Sequence, residues 1–478
     1  MSRIIAIALL VTGATWSTGQ SQVTNSPMVE DFYILQQAIE EAHGGLYRYA
    51  DKLAIANLFS EKRSQVGKLT NKYEFISLVS ESLSGLRDGH MRLEYDQQTN
   101  SEIAAAKMIP FRFLIQDAKL TVLFNDTRDD RTIRPGMEVT SINGHPASDL
   151  IGSMLPRVSG DGFIQTGKLF IIARNLPIYY WLYIDQQPSF IVASKDESGK
   201  TIETTLEGVV SSERIANRTN NPVNAAALKS FPSSTRKNIV VKFHENKTIA
   251  SVNIREFGGS NFRDELDSVF LAIKNNKSKA VILDLRGNGG GVDSYGAYLV
   301  SQFTDQPFKY FDRIHLRDID PSFTSFTSQT RADLKSGTTV DPNGGFLVTP
   351  SLHPQVGEQP PGKHPFKGKL VVLMNGGTFS TAADVTAVLH NMKRGVFIGE
   401  ESGGGYEGNT SGTNARVILP NSRLSVRVQM YDYYNAVTSK ERGRGTMPDN
   451  AIENNLSDLL RGEDAQLTEA MNLARQAR

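Results

Sequence analysis

The chain has 478 residues, 52 Lys and Arg against 51 Asp and Glu, and 39% apolar side chains, ordinary composition for about two to four globular domains. A net charge of +1 gives no electrostatic case for nucleic acid or an anionic membrane as partner. The absence of cysteine excludes disulfides, zinc–thiolate and iron–sulfur sites, a Cys nucleophile and a Cys-linked lipid anchor, and no two of the eight histidines have metal-ligand spacing such as HExxH.

Residues 1–22 open with one early basic residue, Arg3, then the apolar run 4–11, then small and polar residues as far as Gly19 and Gln20. This three-part pattern predicts an export signal over 1–19, cleaved after Gly19, and hence a periplasmic or extracellular protein. The apolar run falls short of the roughly 20 residues that span a bilayer, so no stable membrane anchor is expected after signal removal. The alternative is a membrane-anchoring first helix.

Phe32, Leu35, Ile39 and Ala42 recur at helical spacing, as do Ile76, Val79 and Leu83, which predicts a helical region over 27–100 leading into a strand after His90. Short strands at 111–115 and 120–124 lead to Ile133-Arg134-Pro135-Gly136-Met137-Glu138-Val139-Thr140-Ser141-Ile142-Asn143-Gly144. Physically this is a type II turn, a buried strand and a glycine-assisted hairpin, and it resembles the part of PDZ modules near the carboxylate loop. A further hairpin near 190–193 and 201–206 completes an expected PDZ-like β-rich domain over 105–210. The polar stretch 211–237 reads as a linker.

Beyond it, strands alternate with helices. Strand Ile249–Ile254 precedes a helix with Phe262, Leu266, Val269, Phe270 and Ile273 on one face. Residues 280–285 are apolar on both faces, as in a central buried strand, and 370–374, 380–390 and Val396–Gly399 continue the alternation. The expected core spans 238–455, interrupted by a surface insertion or lid at 304–368 rich in Pro, Gly and Ser, and a C-terminal helix follows over 456–478.

Three segments could carry chemistry. Asp284-Leu285-Arg286-Gly287-Asn288-Gly289-Gly290-Gly291 is a glycine-rich strand-to-helix turn, but it lacks the Gly-Lys-Ser/Thr of a P-loop and the third glycine of G-x-G-x-x-G. Its bare amides suit an oxyanion hole, or its glycines only permit a tight turn. In Asn375-Gly376-Gly377-Thr378-Phe379-Ser380-Thr381, Ser380 falls at a helix start, where the Thr381 N–H carries partial positive charge. Taken alone, Ser380 reads as a helix cap before a nucleophile. Third, Asp88-Gly89-His90 sets a histidine at a helix-to-strand junction, and a lone histidine is more often structural than a general base.

Jointly, these segments resemble the C-terminal-processing, or tail-specific, serine peptidases, in their tricorn-like branch. Glu40-Glu41-Ala42-His43-Gly44-Gly45-Leu46-Tyr47, Asp88-Gly89-His90, the PDZ-like run, both glycine turns, 399–404, Leu419-Pro420-Asn421-Ser422 and Gly445-Thr446-Met447-Pro448-Asp449 stand in family order across nearly the whole mature chain. The resemblance implies an α+β multidomain protein with a ClpP/crotonase-like α/β core, Ser380 as nucleophile, and backbone oxyanion donors at Gly290 and Thr381. The lysine of the classical branch is replaced by Gly405, and Lys393 matches no family base, so the resemblance implies His90 as general base. It gives Glu441 as orienting residue, one position off ungapped register, with Asp88 as the other available carboxylate. Gly89 stands where the branch carries serine.

The expected function is hydrolysis of peptides or unfolded proteins by an exported serine peptidase without cofactor or metal. Two alternatives are a catalytically inactive peptide- or lipid-binding relative on the same fold and an esterase or amidase of small substrates. Neither the substrate nor the oligomeric state is encoded in these motifs.

Overall fold

At the centre lies a six-stranded sheet in the order Asn450–Ala451, Val396–Gly399, Lys369–Met374, Ala280–Asp284, Ile249–Ile254 and Ile239–His244. All neighbours pair parallel except the last two strands, which pair antiparallel. Ile282 stands opposite Val371 and Ser251, and Ala280, Val281, Ile282 and Leu283 are all buried. Their two-sided apolar pattern therefore reflects a strand covered on both faces. Helices Phe262–Asn275, Asp293–Ser301 and Thr381–Asn391 contribute to the large core on one side of the sheet, and Ala465–Arg475 covers the other. The computed structural model describes residues 27–477 except 197, 232–236, 323–324, 327–329 and 440; the expected export signal lies outside the described residues.

A second, seven-stranded sheet pairs Ser325–Phe326, Thr410–Ile418, Ser425–Asn435, Phe311–Leu316, Phe346–Val348 and Thr338–Val340 in that order. The short strand Arg92–Glu94 joins it against Ser425–Asn435, with Arg92 opposite Arg427. The stretch expected as a surface insertion, 304–368, thus supplies four strands of this sheet, and Phe311, Ile314 and Leu316 are fully buried. Alternating apolar residues in a Pro- and Gly-rich context hid a strand whose partner is more than a hundred residues away.

Helices Pro27–Ala42, Lys52–Val66 and Lys72–Gly85 pack into the same core as the first side of the central sheet. The β-rich domain has its own core, built on strands Phe111–Gln116, Lys119–Asn125, Glu138–Ile142, Ser189–Lys195 and Thr201–Glu207. Asn143 and Gly144, both at positive φ, make the two-residue hairpin turn to His145–Pro146. Two helices, Ala147–Met154 and Thr166–Tyr183, complete the domain; the second is apolar on most sides, so its period does not stand out from the sequence.

The expected linker 211–237 begins instead with helix Ser211–Asn220, followed by Ala225–Ser230. Arg214 and Arg218, one helical turn apart, both bind the buried Asp126 carboxylate at 2.9 and 2.8 Å and fasten this helix to the β-rich domain. The C-terminal region is two helices, Leu456–Arg461 and Ala465–Arg475. Gly462, at φ 85°, ends the first in a left-handed cap. No helix among the described residues is long and apolar enough to cross a membrane.

Candidate active site

Two glycine turns meet at the ends of adjacent parallel strands. Ala280–Asp284 runs into Leu285–Gly291, and Lys369–Met374 runs into Asn375–Ser380. Asn375 Oδ1 accepts from Gly287 N at 2.9 Å and from its own turn's Gly377 N at 3.0 Å. Thr378 Oγ1 donates to Leu285 O at 2.9 Å, and Phe379 N donates to Asn288 O at 3.0 Å. Polar side chains that look like loop filler thus weld the turns into one rigid platform.

Ser380 sits on that platform immediately before helix Thr381–Asn391, at φ 53° and ψ −133°. A helix-capping serine adopts extended backbone and bonds an amide of the first turn. Ser380 does neither, for its side chain makes no cap bond. Holding a non-glycine residue there costs on the order of 1–3 kcal/mol, strain of the kind concentrated at functional sites. Gly290, itself at φ 97°, passes so close that a Cβ there would lie 2.6 Å from Ser380 Cβ and 2.9 Å from Thr381 N. Only glycine lets the first turn approach the serine this way.

The two expected oxyanion donors fare differently. Thr381 N opens the helix, and no acceptor among the described residues takes its hydrogen. Gly290 N–H is donated to Asn288 Oδ1 at 2.9 Å, so in this arrangement it is spent inside its own turn.

His90 reaches the same place from the N-terminal region. Its ring stacks on Phe379, the residue before Ser380, with centroids 4.5 Å apart and planes 27° from parallel. Behind it, Gln429 Nε2 donates to His90 O at 2.8 Å, and the following strand Arg92–Glu94 joins the second sheet. Both ring nitrogens are buried and neither has a partner among the described residues. Burial lowers the His90 pKa to about 4, with Arg92 acting in the same direction against the raising influence of Asp88 and Asp293. The imidazole is therefore neutral at pH 7 and able to accept a proton.

Two buried carboxylates stand beside it. Asp88 Oδ1 accepts from His90 N at 2.7 Å, and Oδ2 bonds His43 Nε2 at 2.8 Å. Burial pushes Asp88 up, but the hydrogen bond and charge of His43 and the nearby His90 outweigh it and hold the group below its usual range. Asp161, from the loop before helix Thr166–Tyr183, accepts from Gly89 N at 2.8 Å and from Gly405 N at 3.2 Å. Burial and the neighbouring Asp88 raise its pKa to about 7 against the two amide bonds and Arg48. One donor atom each from Asp88, His90 and Asp161 lies within 4.8 Å of the other two, a spacing that would also admit a small cation.

Glu441 is not brought into this group. Its side chain is exposed, its carbonyl accepts from Ser439 Oγ at 3.1 Å, and it is not among the charges acting on His90. The reason lies just beyond it: Gly443 O accepts from Phe163 N at 2.8 Å and Gly445 N donates to Glu401 Oε1 at 2.8 Å. These bonds fix the following segment and leave Glu441 outside. Lys393 is likewise exposed in the turn after helix Thr381–Asn391. Asp161 escaped the sequence reading because Gly160-Asp161-Gly162 carries no periodic signal; an acid between two glycines was the available hint.

Residues 248–452, which hold both glycine turns and Ser380, match the model of peptidase family S41. Among solved structures, a CPAF mutant shares the fold over 95% of this chain and 98% of its own, with TM-score 0.67 at 12% identity. Mature CPAF matches over 93% of this chain and 95% of its own, with TM-score 0.64 at 13% identity. Mature CPAF complexed with lactacystin matches over 94% and 97%, with TM-score 0.66 at 12% identity. No curated protein matches the sequence significantly. The likeness to CPAF is one of fold, and the matched segment is the one that builds the serine turn. The segment 248–452, which carries Ser380, is therefore similar to peptidase family S41, a family of serine-type peptidases.

Proposed function

We propose that the protein is an exported peptidase that cleaves peptides or unfolded proteins through an acyl-enzyme on Ser380, with His90 as general base. The observation that carries this reading is Ser380 at positive φ at a helix start, without a cap bond, directly after Phe379, on whose ring the neutral His90 imidazole stacks. In the first step Ser380 Oγ attacks the scissile carbonyl while His90 takes the hydroxyl proton. The developing oxyanion lies toward the Thr381 amide at the positive end of the helix. The Gly290 amide becomes a second donor when it leaves Asn288. His90 then protonates the leaving amine, and water repeats the sequence to release the acid. This chemistry requires neither metal nor cofactor.

The β-rich domain, read as PDZ-like, would hold an extended substrate segment by strand addition. It adjoins the catalytic turns directly: Thr166 Oγ1 donates to Glu401 O at 3.0 Å, and the Phe170 ring lies against Gly287 and Gly377. A second reading, a peptide- or lipid-binding relative without turnover, draws on the unpartnered ring nitrogens of His90 and the occupied Gly290 amide.

Hydrolysis of an unfolded protein substrate, measured beside simple esters, separates these readings. The account expects peptide-bond cleavage by wild type and none by Ser380→Ala. Ester hydrolysis alone would indicate a small-substrate esterase. Binding without cleavage would indicate the inactive relative.

A further inference from the structure

Asp161 belongs to none of the catalytic motifs, yet three parts of the chain converge on it. Its two oxygens accept from the amides of Gly89, beside the proposed base, and of Gly405, in the glycine-rich loop that passes behind Ser380. Gly404, next along that loop, approaches so closely that a Cβ there would lie 3.1 Å from Ser380 N. The flanking residues reinforce the junction: Gly162 N donates to Arg87 O at 2.9 Å and Phe163 N to Gly443 O at 2.8 Å. Gly89 must remain glycine here, because a Cβ at that position would fall 2.9 Å from Asp161 Oδ1 and 2.8 Å from the Phe379 ring. The Asp161 carboxyl thus fills the space that a side chain before His90 would otherwise take.

We propose that Asp161 is the positioning residue for His90: it clamps the base loop to the Gly405 loop and presents the carboxylate that the imidazolium faces during catalysis. The inference rests on the peptidase reading given above. When Ser380 Oγ bonds to the carbonyl carbon, its proton passes to one ring nitrogen of His90, and the N–H on the other nitrogen is held by ionised Asp161. Asp161 takes no proton itself; the proton leaves with the amine as the C–N bond breaks. Asp88 fills a different place, with one oxygen on the His90 main chain and the other on His43. The charged groups around Asp161 are Asp88 and His90 on the base loop, Arg48 and Tyr49 from the N-terminal region, and Asp384 on helix Thr381–Asn391. Arg87 turns away, its guanidinium 4.2 Å from the Phe163 ring centroid. Burial and Asp88 raise the Asp161 pKa to about 7, so a carboxylate that faces the imidazolium is expected to give the catalytic rate a step there that a purely mechanical clamp would not produce.

The test follows the rate of Ser380 labelling by a fluorophosphonate from pH 5 to 9 in the full-length protein. Wild type is expected to rise roughly tenfold through pH 7. Folded Asp161→Asn, which keeps the shape but not the charge or the second acceptor, should lose the step and stay near the low plateau. Thr166→Val loosens the same junction away from the imidazole and should keep the step. Should Asp161→Asn fail to fold, Asp161→Glu, which keeps the charge but displaces the carboxylate from the Gly89 and Gly405 amides, is read by the His90 modification rate alone. In parallel, carbethoxylation of His90 by diethyl pyrocarbonate, followed by peptide mass, should be severalfold faster in the variant because the base loop is released. A folded Asp161→Asn with the wild-type step and unchanged His90 reactivity overturns the inference. If wild-type Ser380 does not label at all, the peptidase reading fails, while the His90 comparison still decides whether Asp161 holds the base loop.

Discussion

The serine turn and the base cluster sit side by side but are built in opposite ways. The turn is built from two short glycine-rich stretches, each readable as a motif in itself: Asn375, Thr378, Asn288 and the glycines around them lie within these stretches, and their hydrogen bonds run mostly from one stretch to the other. The base cluster is assembled from His43, the 88–90 loop, Asp161 and Gly405, which only the folded chain brings together. A site can therefore keep its nucleophile as a readable motif while the groups that tune the base are set by packing among domains.

Variants can break or sharpen this contrast. Ser380→Ala should reduce turnover by at least about 10⁴-fold while the melting temperature holds, because the side chain supports no cap bond and its loss leaves the platform intact. A protein that melts far below wild type would instead make Ser380 structural. Gly290→Ala forces a Cβ to 2.6 Å from Ser380 Cβ on a residue at φ 97°. It should cut activity on the order of 100-fold and stability by about 1–3 kcal/mol in denaturant titration. Unchanged activity would mean that the first turn does not shape the site.

On the other side, His90 titrates near pH 4 when folded and near 6.5 when free. Between those values the unfolded chain binds a proton that the folded protein does not, so this residue lowers stability as pH falls from about 6.5 to about 4. Melting temperatures across that range should decline less steeply in His90→Gln than in wild type, and parallel curves would contradict a neutral buried imidazole. The smallest effect is expected from Glu441→Gln, within about twofold of wild-type kcat/KM, since its exposed carboxylate is remote in influence from His90. A tenfold loss would restore Glu441 as the orienting residue.

The sequence was most legible where periodicity or turn chemistry acts over a few residues. Strand Ile249–Ile254, the buried strand Ala280–Asp284, the hairpin at Asn143-Gly144 and the helix after Ser380 all follow from local pattern. It was least legible where a residue's partner is distant. Phe311–Leu316 became a sheet strand because Ser425–Asn435 lies beside it. Helix Ser211–Asn220 looked like a linker because its burial is small and its anchor is Asp126, far back in the chain. The spacing of Arg214 and Arg218 was the one sign of that helix. Glu441 is the converse case: a position inferred from motif order, which bonds at Gly443 and Gly445 leave in solvent. Gly290 lies in the expected turn, but its N–H is donated to Asn288 Oδ1 in this arrangement, which no sequence pattern signals.

The central claim is that Ser380 is a nucleophile activated by His90, and intact mass after incubation with a fluorophosphonate tests it most directly. The account predicts one adduct per chain on wild type, absent from Ser380→Ala and strongly reduced in His90→Ala, with all three proteins folded. No adduct on folded wild type, or an adduct that survives Ser380→Ala, would contradict it.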